Sequence, residues 1–246
     1  MKNQKQWKPS KFVYKKGNLV ASRDIQEVNV ASRLIVDLIA ELYEENLRHY
    51  ATGKLLDLGC GKVPLYHSYR KHVSEVICVD WENSLHKNEY LDCVCDLTQP
   101  LPFDNETFNT ILLSDVLEHI PNPEQLWTEI ARLLSPTGKL IMNVPFYYWL
   151  HEVPHDYYRY TDFALRRFVE NAKMRTIKLQ AVGGTPEILA DTLSKHLKTI
   201  PVIGTVGTIG IQAFTKTFIK TTLGRKLSQK TSILFPLGYF LVAEKI

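Results

Sequence analysis

Residues 151 to 160 read HEVPHDYYRY and carry two histidines, two carboxylates, three tyrosines and an arginine. The spacing H-E-x-x-H binds zinc when it lies on a helix, where side chains four apart share one face and the glutamate serves as a base. Here Pro154 stands between the histidines. It removes a backbone donor, and Val153 before it is biased toward an extended conformation. A helical zinc site is therefore not expected, and no metal is assigned; an ion shared by His151, His155 and Asp156 is the lesser alternative. A hydroxyl nucleophile needs a proton acceptor, and imidazole is the side chain best poised for that near neutral pH. His155 backed by Asp156 is the first candidate, then His151, with Glu152 as another orienting carboxylate. The plainer alternative is a loop that ties itself down with hydrogen bonds.

Four further signals fall where short apolar runs end. KLLDLGCG closes on Asp57, Gly59, Cys60 and Gly61, small residues that let a ligand approach the backbone. EVICVD ends on Asp80, followed by Trp81, and a carboxylate there can accept both hydroxyls of a ribose. Asp96 and Leu97 pair an acid with an apolar side chain, suited to an adenine amino group and face. FNTILLSDVLEHI opens at Ser114 into a loop that reaches His119, either a second base or a residue that holds the loop closed. A dinucleotide site wants glycine at the third position of G-x-G-x-x-G, and Pro64 stands there. S-adenosylmethionine carries adenosine without a phosphate, so it does not need that glycine.

The elements that must position these residues alternate. Apolar runs at Leu55, Val76, Ile111 and Leu140 read as strands, and PEQLWTEIARLLS between the last two reads as a helix. Such alternation predicts a doubly wound α/β sheet, whose ligands bind at the carboxyl ends of the strands. Residues 27 to 50 predict a helix with Val30, Leu34, Leu38 and Leu42 on its apolar face. FALRRFVENA predicts another helix, with TIKLQAVGG and GYFLVAEK as closing strands.

With those motifs in place the chain resembles the class I S-adenosylmethionine-dependent methyltransferases of the broad group that includes the ubiquinone-type enzymes. LLDLGCG is similar to the glycine-rich first motif, VICVD to the second, and CDLTQPLPFDNETFNTILLSDVLEHIPNP to the next two. The resemblance implies a Rossmann-like, doubly wound, mostly parallel seven-stranded sheet with helices on both faces. It also implies that Asp57, Gly59 and Gly61 surround the methionine part of the cofactor, that Asp80 holds the ribose, and that Asp96 and Leu97 frame the adenine. Cys60, Trp81 and Ser114 join them as cofactor-site candidates. Pro64 and Asn109 depart from the family pattern. A narrower subgroup, often encoded near bacterial surface-polysaccharide genes, carries a segment similar to HEVPHDYYRYT. The implied reaction is O-methylation of a small-molecule or glycan acceptor. A quinone- or lipid-type acceptor, and a cofactor-binding protein without transfer activity, are the alternatives.

The 246 residues suffice for an irregular arm (1–26) and one methyltransferase domain (27–246) with a helical cap insertion at about 185–230. That insertion is basic and partly apolar, so peripheral contact with anionic lipid is its alternative role. Trp7, Phe12 and Tyr14 are available to pin the arm. A net charge of +4 does not call for nucleic acid. Cys60, Cys78, Cys93 and Cys95 form no zinc spacing and are expected to be reduced, buried thiols. No apolar run is long enough to cross a bilayer, and no secretory signal is read at the start, so a cytoplasmic location is expected.

Overall fold

The computed structural model describes residues 1–83, 89–201 and 203–246. Two strands, β1 (Phe12–Lys15) and β2 (Asn18–Ala21), form an antiparallel hairpin. Helix α1 (Arg33–Tyr50) follows a 3-10 turn at Val30–Ser32. Then come β3 (Lys54–Leu58), α2 (Tyr66–Tyr69), β4 (Glu75–Asp80), β5 (Cys93–Val94), β6 (Phe108–Ser114), α3 (Pro123–Leu133) and β7 (Leu134–Pro145). The chain ends through α4 (Asp162–Asn171), β8 (Met174–Val182), α5 (Thr185–Leu197), α6 (Ile203–Phe218), α7 (Thr222–Thr231) and β9 (Gly238–Lys245).

Seven strands form one sheet in the order β5-β4-β3-β6-β7-β9-β8. Pairings β4·β5, β3·β4, β3·β6 and β6·β7 are parallel. Lys139, early in β7, meets Glu244 late in β9 at 2.6 Å, and Phe146, just past β7, meets Tyr239 at the start of β9. The last strand therefore runs against β7. Leu55, Leu56, Leu58, Ile111 and Leu113 in β3 and β6 are completely buried. Each such side chain contributes about 1.5–3 kcal/mol on leaving water. This is the Rossmann-like, mostly parallel arrangement expected, and the strand order reverses at β3, where β4 lies on one side and β6 on the other.

Two compact units divide the chain. The first holds residues 1–9, 45–180 and 239–246, and with them nearly the whole sheet. Trp7 is pinned in it: its indole donates to the Val63 carbonyl at 3.1 Å and its ring meets Tyr66 edge-on at 5.2 Å. Asn109, one of the departures from the family pattern, accepts the Lys54 amide at 2.9 Å and donates to Ser135 at 3.2 Å, and so joins the starts of β3, β6 and β7.

The second unit holds residues 10–44 and 181–238. Phe12 is buried in its hairpin, whereas Tyr14 is exposed. Asp37 on α1 accepts the Ala21 amide at 2.8 Å and pairs with Lys216 of α6 at 2.5 Å. Gln212 of α6 accepts the Leu34 amide at 3.1 Å and donates to the Ala31 carbonyl. Glu187 of α5 accepts from the Gly184 amide at 2.9 Å and from the Ser228 hydroxyl at 2.6 Å. Of the apolar face expected for this helix, Val30 and Leu34 are buried. Val36, Ile39, Ala40, Tyr43 and Leu47 are buried, while Leu38 and Leu42 are only half-buried. A strict four-residue spacing drifts around a helix of 3.6 residues per turn, so packing follows the three-and-four alternation. The segment expected at 185–230 is helical as α5 to α7; Val202 within it lies outside the described residues.

Candidate active site

The glycine turn after β3 is shaped by what packs on it. Gly59 has φ +65°, and a Cβ there would stand 2.6 Å from a Val116 methyl. A side chain is excluded twice over, by the left-handed backbone and by the loop that follows β6. Asp80, at the end of β4, accepts the Gly61 amide on one oxygen and the Trp81 amide on the other, both at 2.9 Å. The Cys60 amide donates to the Val79 carbonyl at 3.1 Å, so the turn is stitched to the neighbouring strand. Asp57 is buried and accepts the Tyr69 hydroxyl at 3.0 Å. Burial pushes its carboxyl up to about 7, against the opposing Tyr69 hydrogen bond and helped by the charge of Asp80. Asp96 lies exposed beyond β5 and accepts the Thr98 amide at 2.8 Å, next to the buried Leu97.

The loop after β6 is fixed from β7. Ser114 donates to the buried Asn143 side chain at 3.1 Å, and Asn143 donates in turn to Asp115, which has φ +53°. Asn143 was not legible as a site residue in sequence; it looks like one more polar residue at a strand end. Beyond Asp115 the chain makes a 3-10 turn, Leu117–His119, and buries Glu118 completely. Both oxygens of Glu118 and Nε2 of His119 lack a hydrogen-bond partner. Burial raises the Glu118 carboxyl, against the opposing influence of His151.

HEVPHDYYRY is irregular throughout, as Pro154 requires, and its two histidines part company. The Glu118 carbonyl accepts the amides of Tyr157 and Tyr158 at 2.9 and 3.3 Å, which holds the segment against the β6 loop. His151 turns inward: its ring meets His119 at 4.8 Å, and its Nε2 lies 3.7 Å from Glu118 Oε1. His155 turns toward Trp81, edge-on at 5.1 Å, while its carbonyl accepts from His119 Nδ1 at 2.8 Å. Asp156 does not back His155 as expected. It accepts the His151 amide at 2.9 Å, stands 3.3 Å from His151 Nδ1, and takes two hydrogen bonds from Arg159 at 2.6 and 2.8 Å. Arg159 holds the Asp156 carboxyl well below the usual carboxylate range. Burial opposes charge on His151, but Glu118, Asp156 and Asp115 outweigh it and raise its pKa. Of the aromatic side chains in and just before this segment, Tyr160 is buried and donates to the Leu117 carbonyl at 3.2 Å, whereas Tyr147, Trp149, Tyr157 and Tyr158 are exposed.

Apart from Asp96 and Leu97 beyond β5, the sequence candidates thus fall into two neighbouring groups within the first unit. One is the glycine turn with Asp57, Asp80 and Trp81; the other is the 114–119 loop with HEVPHDYYRY. Val116 against Gly59 and His155 against Trp81 join them. Glu118 was missed as a candidate although it lies inside a quoted motif, because its complete burial is a property of the fold.

Comparison with known proteins accords with this arrangement. Residues 56–142 match the family described as "Methyltransferase domain". An enzyme named ubiquinone biosynthesis O-methyltransferase from Coxiella burnetii is 31% identical over 98 residues, which cover 36% of this chain and 42% of the relative. The chain thus matches less than half the length of that relative. Among solved structures, a geranyl diphosphate methyltransferase in complex with S-adenosylmethionine superposes with a TM-score of 0.54 at 16% identity, covering 91% of this chain and 93% of that one. The [4+2]-cyclase SpnF reaches 0.54 at 18% identity, covering 87% and 82%. Residues 56–142 are thus similar to a methyltransferase domain, and the fold around them is the one these solved structures share. A cyclase on the same fold is a reminder that architecture alone does not choose the chemistry.

Proposed function

We propose that the protein transfers the methyl group of S-adenosylmethionine to a hydroxyl oxygen of a small acceptor. The observation that carries this reading is the pair of buried carboxylates, Asp57 and Asp80, at the carboxyl ends of adjoining strands on either side of a glycine turn. S-adenosylmethionine brings an ammonium, a sulfonium and two ribose hydroxyls. Asp57, raised to about 7 by burial, is a group that a cationic ligand would re-ionise. Asp80 accepts a backbone amide on each oxygen at the end of β4, which fixes its carboxylate where ribose hydroxyls would meet it. Leu97 offers an apolar face and Asp96 a carboxylate to the adenine, while Cys60 and Ser114 border the methionine part.

Bound there, the cofactor supplies an electrophilic methyl carbon. The chain supplies position: transfer is an in-line displacement, so much of the acceleration comes from holding the acceptor oxygen against the methyl group. Ionisation of the acceptor hydroxyl falls to the cluster of Glu118, His119 and His151, and His155 closes the ribose side through Trp81. The acceptor is a small molecule or a glycan. A second reading, an amphiphilic quinone- or lipid-type acceptor, is favoured by the apolar and basic helix faces of the second unit and by the name of the curated relative. Here Val206 and Phe214 on α6 and Leu223 on α7 are exposed beside Lys220, Arg225 and Lys226.

Calorimetry with S-adenosylmethionine and mass detection of S-adenosylhomocysteine over an acceptor library test the proposal. Asp80→Ala should weaken cofactor binding by about 1.5–3 kcal/mol, the scale of a charged hydrogen-bond partner. Unchanged affinity removes the ribose assignment. Cofactor binding without product over the whole library would favour a binding protein.

A further inference from the structure

We propose that Glu118, His119 and His151 form a binding site for one divalent ion of the zinc, cobalt(II) or manganese(II) class, an inference that deepens the acceptor side of the proposed function and rests on it only for its catalytic meaning. One donor atom from each of the three residues lies within 4.8 Å of the others. Nε2 of His119 and Nε2 of His151 stand 3.8 and 3.7 Å from the same oxygen, Glu118 Oε1. Ligands about 2.1 Å from a tetrahedral ion are separated by roughly 3.4 Å, so the two histidine–glutamate gaps must close by about 0.3–0.4 Å and the histidine–histidine gap, within 4.8 Å, by up to about 1.4 Å. At their present distances the atoms are too far apart to hydrogen-bond.

Hydrogen bonding at the far ring nitrogens decides which nitrogens carry lone pairs. His119 Nδ1 lies 2.8 Å from the His155 carbonyl, which can only accept, so the proton sits on Nδ1 and Nε2 is left as a donor to a metal. His151 Nδ1 faces the Arg159-clamped Asp156 at 3.3 Å and the Trp149 carbonyl, again two acceptors. In the neutral ring Nε2, which faces Glu118, is then the bare nitrogen, and an ion binding there displaces the proton that the surrounding carboxylates favour. Two imidazole nitrogens and a fully buried carboxylate with neither oxygen hydrogen-bonded therefore lie within 4.8 Å of one another. A proton on either ring would settle one contact and leave the other; a dication settles all three. Imidazoles whose far nitrogens are held by a carbonyl and a carboxylate are the usual support of a metal site. Two nitrogens and one oxygen suit zinc-class ions better than magnesium or calcium, which prefer all-oxygen sets. Three protein ligands leave positions open, and Glu152, half-exposed with an oxygen 3.9 Å from His119 Nε2, borders them. An acceptor oxygen entering one of those positions would be polarised by the ion. This arrangement uses only the first histidine of H-E-x-x-H.

The experiment is titration of the chelator-stripped, full-length protein with cobalt(II), followed by visible absorption, and with zinc, followed by calorimetry. One ion per chain is expected, with cobalt bands of low-coordinate N/O ligation. His151→Ala and Glu118→Gln should each weaken binding at least tenfold, whereas His155→Ala should leave it unchanged. Circular dichroism checks that each variant is folded, and the conservative His151→Asn serves if Glu118→Gln is not. Absence of stoichiometric binding by the wild type, or equal binding by His151→Ala, overturns the site. S-adenosylmethionine affinity, measured on the same samples, separates the two claims. Intact cofactor binding without metal removes only the ion, and metal binding without cofactor binding removes the proposed function.

Discussion

Asp57 holds a buried carboxyl whose pKa lies near 7, against an ordinary value of 3.8. Between those values the folded chain keeps a proton that the unfolded chain has released. Stability from this group is therefore full below about pH 4 and is lost as pH rises through about 7, by at most ~1.4 kcal/mol per pH unit. Asp57→Asn has no such charge to bury. Urea melts should show the variant gaining on the wild type as pH rises from 4 to 7, and parallel stability curves would contradict the buried, raised carboxyl. The cofactor adds the converse. If its cationic groups sit beside Asp57, binding near pH 6 should release a proton, read as a dependence of the calorimetric heat on buffer ionisation enthalpy. Arg159 acts in the other sense on Asp156, which stays ionised and so keeps the His151 ring oriented.

At the scale of elements, the turn after β3 and the loop after β6 interlock through Gly59 and Val116. Gly59→Ala should cost about 1–3 kcal/mol from the left-handed backbone and the methyl contact together. Adding Val116→Ala should recover the contact part and leave the backbone part, a double-mutant cycle readable in denaturant melts. A Gly59→Ala protein as stable as the wild type would mean that the turn can reshape. These elements were legible in sequence because each strand is a short apolar run stopped by glycine or a carboxylate, and the helices between them keep their period. Asp57, Asp80 and the glycine turn were legible for the same reason, since a strand end in a parallel sheet has a fixed place. The histidine partnerships were not. Which of His151 and His155 receives Asp156 depends on how a loop with a proline and no periodicity folds back, and spacing carries no such information. Glu118 and Asn143 were hidden likewise, because their burial is created by two loops distant in sequence.

At the scale of the whole molecule, exposed apolar side chains gather in the second unit. Leu189, Leu193, Val206, Phe214 and Leu223 are all more than half exposed, among the exposed bases Lys220, Arg225, Lys226 and Lys230. Among the described residues no helix is long and apolar enough to cross a membrane. We propose peripheral adhesion to anionic lipid as the alternative to a capping role, with basic residues worth about 1 kcal/mol each near an anionic surface. The protein should sediment with phosphatidylglycerol vesicles at low salt, release as salt rises, and bind less as Phe214→Ser. A protein that stays in the supernatant and elutes as a dimer would reassign these faces to self-association. Two of the four cysteines proved less buried than expected. Cys93 and Cys95, on and just beyond edge strand β5, are half-buried with their sulfurs 2.7 Å apart, and the Cys95 amide donates to the Asp80 carbonyl at 2.9 Å. Burial and the neighbouring thiol push Cys95 up to about 12, so little of it is thiolate at neutral pH. Oxidation of the pair by air to a disulfide would lock the backbone next to the residue assigned to the ribose. Samples that age without reductant would then lose cofactor affinity before they lose their fold.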